Sequence, residues 1–185
     1  KENLKKFGLF SILLNKNINF NIVLCGFMGC GKTSVGKQLS LKTGLNFIDT
    51  DRYIEKTSGL PVSEIFKIYG EAHFRNLEKI CVKTVSTSAS AIISTGGGVI
   101  LDEKNIFYLK QNGKIFYLDA SVDIITSRLI SDSTRPLIKN KNSIKKLFFE
   151  RKEKYLSSAD FIIDANQNLD AICHDILNKI EKTVP

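Results

Sequence analysis

Ile22-Val23-Leu24-Cys25-Gly26-Phe27-Met28-Gly29-Cys30-Gly31-Lys32-Thr33 is the stretch that decides the architecture. Its first four residues are an unbroken apolar run, the mark of a strand buried on both faces. The octet that follows reads G-x-x-x-x-G-K-T. Beyond it Val35, Leu39 and Thr43 fall at helical spacing on a segment that stops at Gly44. Strand, glycine loop and helix in this order predict a phosphate-binding loop. Glycines let the backbone curl until consecutive N–H groups face one anion, and the helix N-terminus adds its positive dipole. Lys32 then reaches the β- and γ-phosphates and the Thr33 hydroxyl faces Mg²⁺. The reading is a nucleoside-triphosphate site.

Outward from this loop, short apolar runs alternate with helical patterns, which argues for a parallel sheet covered on both sides. Further strands are expected at Asn46–Asp49, Ala91–Ser94, 115–118 and Phe161–Asp164. Helices are expected over 51–58, 62–69, 71–86, 102–111, from Ser121 onward, from Ser143 onward and over 169–182. Residues 130–142 are polar and aperiodic, and read as a mobile loop. No repeat or linker divides the chain, so a single domain over 20–185 is expected, preceded by an extension over 1–19. Ligands of open parallel sheets sit beyond the carboxyl ends of the strands. Residues 26–33, 49–51 and 96–98 all lie at such ends, so three distant motifs converge on one crevice.

The 185 residues suit one α/β domain, and the net charge of +8 favours anionic ligands. The basic residues are dispersed and form no stripe, which argues against nucleic acid. No apolar run approaches the ~20 residues that span a bilayer, and no membrane partner is expected. Cys25, Cys30, Cys81 and Cys173 form no C-x-x-C pair and have no histidine at ligand spacing. They read as reduced thiols of a cytoplasmic protein, taken here as a monomer. Cys30 lies inside the phosphate loop, where a helix N-terminus can acidify a thiol; the plainer reading is a substitute for a small serine-sized residue.

Asp49 and Asp51 leave the second strand at i and i+2, where one can orient Mg²⁺ and the other accept a hydroxyl proton. Of 27 basic side chains only Arg52, Arg75, Arg128, Arg135 and Arg151 are arginine. A guanidinium gives bidentate carboxylate or phosphate recognition that lysine does not. With Gly26-Phe27-Met28-Gly29, Asp49-Thr50-Asp51, Gly70-Glu71 followed by Phe74-Arg75 and Glu78, Thr95-Gly96-Gly97-Gly98, Arg135-Pro136-Leu137, and Arg151 four before Tyr155, the chain resembles the shikimate kinase family from about residue 20 to residue 182.

The resemblance implies a three-layer α/β/α P-loop kinase fold with a five-stranded parallel sheet and a mobile lid. It implies ATP-dependent phosphorylation of the shikimate 3-hydroxyl, with Mg²⁺, in the chorismate pathway. Carried over residue by residue, it makes Asp51 the base, with Lys32 and Arg135 as further catalytic groups. Arg75 and Arg151 hold the shikimate carboxylate, while Gly96, Gly97 and Gly98 border the ring. Glu78 orients Arg75, and Val62, Phe66 and Phe74 wall the pocket. Gly29, Cys30, Gly31, Lys32, Thr33 and Ser34 take ATP together with Arg128 and Arg135, and Thr33 and Asp49 serve the metal. Rival readings are a gluconate or nucleotide kinase, a silent nucleotide-binding relative and a nucleic-acid ATPase.

Overall fold

The computed structural model describes residues 18–131 and 141–183, without the side chain of residue 131. Five strands, β1 (Asn21–Cys25), β2 (Asn46–Asp49), β3 (Ala91–Ser94), β4 (Gly113–Asp119) and β5 (Phe161–Asp164), form one sheet in the order β2-β3-β1-β4-β5. All neighbours are parallel, with Val23 opposite Ile93 on one side and Ile115 on the other. Every residue of β1 and β3 is buried, which requires cover on both faces.

The helices supply that cover: α1 (Lys32–Thr43), α2 (Thr50–Ser58), α3 (Val62–Val85), α4 (Glu103–Gln111), α5 (Val122–Ser131), α6 (Lys141–Ser158) and α7 (Leu169–Glu181). Helix α1 packs on α7, and α3 packs on α2 and α4. Gly36 brings α1 against β2, because a Cβ there would overlap the ring of Phe47.

The three-layer parallel fold expected from the sequence is the one observed, with several local differences. The two helices expected over 62–69 and 71–86 join end to end as α3, broken by Gly70 at φ 79° and ψ 173°. A Cβ at Gly70 would meet no atom within 4 Å, so the glycine serves the backbone conformation and not a close approach. Asp102 caps α4 from outside, its carboxylate accepting the Lys104 N–H at 2.9 Å, and a 3₁₀ turn over Val99–Leu101 precedes it. Helix α6 already exists at Lys141, two residues before Ser143, and α5 extends through Ser131. The remainder of the expected loop, 132–140 with Arg135, lies outside the described residues. So does most of the extension over 1–19, although Ile18 is already buried in the core.

Candidate active site

Backbone geometry builds the phosphate loop. Gly26, Gly29 and Gly31 adopt φ of 144°, 80° and 103°, a range that disfavours side chains, and Gly31 caps α1. The Lys32 ammonium is drawn into the curl and donates to the carbonyls of Gly26 (2.8 Å) and Phe27 (3.0 Å). Cys30 is buried beneath the same curl, its sulfur 3.7 Å from the Lys32 Nζ and against the Gly26 backbone. That packing agrees with the plainer reading of a small filling residue.

One carboxylate joins this loop to the next strand. Asp49 accepts the Thr33 hydroxyl at 2.9 Å through Oδ2. Through Oδ1 it accepts the N–H groups of Asp51 (3.2 Å) and Arg52 (3.3 Å), so it is also the N-cap of α2. The cap fixes the first turn of α2, and with it the position of Asp51. Among the described residues no cluster of three His, Cys, Asp or Glu side chains is placed to hold a metal alone. The Thr33–Asp49 oxygen pair suits Mg²⁺, a hard cation that keeps waters and shares substrate phosphates.

The second half of the site is the turn at residues 96–98, and it explains why three glycines stand there. A Cβ on Gly96 would lie 2.5 Å from the Asp51 carboxylate and 3.3 Å from that of Glu78. On Gly98 it would overlap the Arg75 guanidinium. The Gly97 carbonyl accepts the Tyr155 hydroxyl at 2.6 Å and the Arg151 Nη1 at 3.4 Å. The Gly96 N–H donates to the buried Thr50 hydroxyl at 2.8 Å. The N–H groups of Gly97 and Gly98 meet no acceptor among the described residues. Asp51, Arg75 and Arg151 therefore reach one turn from three separate helices.

Arg75 is held from two sides. Its Nη1 bonds both oxygens of Glu78 (3.1 and 2.9 Å), and its Nε and Nη2 bond Glu71 (3.2 and 2.9 Å). Glu78 is 2% exposed; burial lifts its carboxyl above the ordinary value, with Arg75 pulling the other way and Asp51 adding to the lift. Burial works against the Arg75 charge, yet the two glutamates outweigh it and raise its pKa further. The pairing of Glu78 with Arg75 follows the sequence expectation; Glu71, quoted there only as part of the motif, adds a second anchor.

A crevice of about 550 Å³ runs from the phosphate loop past Asp49 and Asp51 to Gly97, with Arg128 on its wall. Arg128 donates to the Gly29 carbonyl at 3.2 Å. Val62, Phe66 and Phe74 do not line this crevice. Phe66 and Phe74 instead pack on each other beside Arg75, their ring centroids 4.6 Å apart, with the guanidinium 5.5 Å from the Phe74 ring. Gln167, Leu169 and Ile172 do line it. They follow β5, and the rule that ligands sit beyond strand carboxyl ends could have nominated them. Arg52 is exposed, His73 packs on the Tyr69 ring, and His174 pairs with Asn178, all outside the crevice.

Residues 28–181 match the shikimate kinase family profile. Shikimate kinase from Thermodesulfovibrio yellowstonii is 46% identical over 147 residues, covering 78% of this chain and 84% of that protein. The enzyme of the same name from Caldanaerobacter subterraneus is 39% identical over 160 residues, covering 85% and 94%. The solved shikimate kinase from Acinetobacter baumannii, in complex with shikimate, superposes with a TM-score of 0.81 at 32% identity over 91% of this chain and 96% of that one. A gluconokinase from Sinorhizobium meliloti shares the fold alone, with a TM-score of 0.57 and 14% identity. A glycine turn with an acid and two arginines upon it, beside a phosphate loop and within these sequence likenesses, places this chain in the shikimate kinase family.

Proposed function

We propose that this chain transfers the γ-phosphoryl group of ATP to the 3-hydroxyl of shikimate, giving shikimate 3-phosphate and ADP on the route to chorismate and the aromatic amino acids. The observation that carries the reading is the meeting of Asp51, Arg75 and Arg151 at the turn of residues 96–98, whose Gly96 and Gly97 share the crevice of the phosphate loop while Gly98 and Arg75 line a second cavity of about 590 Å³. ATP binding alone does not require that arrangement. A hydroxylated carboxylic acid does.

In this reading Arg75, braced by Glu78, and Arg151 take the carboxylate of the acceptor, while Gly96, Gly97 and Gly98 leave room for its ring. Phe66 and Phe74, with Val62, form an apolar flank beside Arg75. Asp51 accepts the proton of the 3-hydroxyl as the oxygen–phosphorus bond forms and the bond to the ADP oxygen breaks. Phosphoryl transfer asks little covalent work of a protein, so positioning and charge neutralisation dominate. The backbone of residues 29–34 and the Lys32 ammonium receive the phosphates. Lys32 exchanges its two carbonyl partners for phosphate oxygens. Arg128 stands on the nucleotide side, and Arg135 is assigned to the transferring phosphate. Thr33 and Asp49 would hold Mg²⁺, which offsets phosphate charge when bound. Four buried free thiols suit a reducing cytoplasm, and the enzyme is taken to work there as a monomer on small molecules alone.

Coupled detection of ADP with ATP, Mg²⁺ and shikimate, against gluconate and nucleoside monophosphates, tests the reading. Turnover is expected with shikimate, and ATP hydrolysis indifferent to shikimate would sink the assignment. The change Asp51→Asn should lower kcat by roughly 10²–10⁴, the usual range for a lost general base. ATP affinity should stay at the wild-type value, because Asp51 lies on the acceptor side.

A further inference from the structure

The turn at residues 96–98 is fastened at two points by groups that the phosphoryl-transfer chemistry does not use. On one side the Thr50 hydroxyl receives the Gly96 N–H at 2.8 Å. On the other the Tyr155 hydroxyl donates to the Gly97 carbonyl at 2.6 Å, a shorter contact than the 3.4 Å from Arg151 to the same oxygen. Tyr155 has no exposed surface, and its ring stacks on that of Tyr117 at 5.3 Å between centroids and 6° between planes. The Tyr117 hydroxyl is directed elsewhere, to Asp119 at 2.9 Å. The stack therefore fixes the ring of Tyr155 and leaves its hydroxyl to the Gly97 carbonyl and the neighbouring Arg151 guanidinium.

The bond to the Gly97 carbonyl has a geometric consequence. In a trans peptide the C=O and the following N–H point in opposite directions. Holding the Gly97 carbonyl against Tyr155 turns the Gly98 N–H away from Tyr155, and this N–H has no acceptor among the described residues. Three glycines in a row otherwise give the backbone more freedom than any other tripeptide. Arg151, one helical turn before Tyr155 on α6, meets the same carbonyl, so one fixed oxygen sets both the peptide plane and the reach of the guanidinium. Burial pushes the Tyr155 hydroxyl well above its ordinary pKa, so it remains a donor across the working range.

We propose that Tyr155 is a positioning residue that orients the Gly97–Gly98 peptide and Arg151 toward the acceptor, and so sets affinity for shikimate without touching it. The proposal rests on the functional reading above. Tyr155→Phe removes the hydroxyl and keeps the stacked ring. Leaving a buried carbonyl short of its better donor should raise KM for shikimate about tenfold, with KM for ATP unchanged. Tyr117→Phe alters the same stack without touching the turn, and should leave both constants at wild-type values. An unchanged shikimate KM in Tyr155→Phe would overturn the proposal, as would a parallel rise in both constants that tracked a lower Tm, since that is the pattern of a purely structural tyrosine.

Amide hydrogen exchange supplies a readout that does not depend on turnover. Without any ligand, exchange at Gly96, whose N–H the Thr50 hydroxyl protects, should be faster in Tyr155→Phe than in wild type, while exchange in β1 is unaltered. Equal rates at Gly96 would overturn the proposal even if shikimate proved not to be the acceptor. In wild type, added shikimate should slow Gly98 exchange, and an unaltered rate in a protein that turns shikimate over would count against it too.

Discussion

The nucleotide side and the acceptor side of the crevice are built by different means. The Lys32 ammonium finds its partners five and six residues back along the chain. At the acceptor side Gly96 bonds a residue 46 positions away, and Gly97 bonds residues 54 and 58 positions away. One half is a local structure that eight residues carry almost by themselves. The other exists only after α2, β3, α3 and α6 have come together. A site of this kind can lose its acceptor while keeping its nucleotide, and the reverse is much harder.

Substitutions can separate the two halves. Gly98→Ala has the largest expected effect beyond the loss of Asp51. Gly98 has φ −103°, which alanine accepts, but the new Cβ would fall on the Arg75 guanidinium. The displaced group is the end of a flexible side chain, so the fold should survive with little change in Tm. Loss of one charge-assisted contact to the acceptor corresponds to a rise in shikimate KM of roughly ten- to a hundredfold. Steady-state kinetics with each substrate varied in turn would check it, and a matching rise in ATP KM would erase the distinction between the two sides.

Gly36→Ala probes the scaffold instead. Its Cβ would meet the Phe47 ring, a packed aromatic with little room to move, and overpacking of this type costs about 1–3 kcal/mol. In a chain of this size that corresponds to a Tm lower by roughly 2–10 °C. Both KM values should hold. A selective change in shikimate KM would mean that the sheet transmits strain to the turn.

The smallest effect concerns the wall behind Arg75. Asp102 pairs with Lys79 at 2.8 Å, and that hydrogen bond does most to hold its carboxyl below the usual value. A depressed folded-state pKa stabilises above the ordinary carboxyl pKa of about 3.9 and loses that contribution as pH falls through the depressed value. Asp102→Asn retains a good N-cap for α4 and removes the ion pair. At pH 7 it should cost under about 1 kcal/mol, as for most partly exposed pairs. The difference from wild type should close as pH falls below that depressed value, measured as Tm against pH. A gap that persisted there would assign the effect to the cap.

These contrasts follow how far the sequence could be read. The phosphate loop was legible because its function depends on backbone curl and a helix terminus, both encoded within twelve residues. The inner strands β1 and β3 were legible because burial on both faces leaves continuous apolar runs. Asp49 was expected beside the metal, with an N-cap as its plainer reading, and the structure gives it the cap of α2 that places Asp51. Phe66 and Phe74 stand beside Arg75, and with Val62 they lie off the phosphate-loop crevice, a matter of where α3 runs relative to the sheet. Glu71, Thr50 and Tyr155 were not singled out for a role, since nothing local marks a threonine or a tyrosine as the partner of a glycine some fifty residues distant.

From the chain alone came the parallel sheet and the phosphate loop, consequences of periodicity and of chemistry carried by single residue types, while the roles of the acid and of the arginines came from the resemblance to the shikimate kinase family. The tertiary structure decided that three side chains occupy the space where residues 96 and 98 would carry a Cβ and where the Gly97 carbonyl is bonded. The physical reason is packing: which atoms share a volume depends on how helices and strands meet, and no stretch of sequence holds both partners of such a contact.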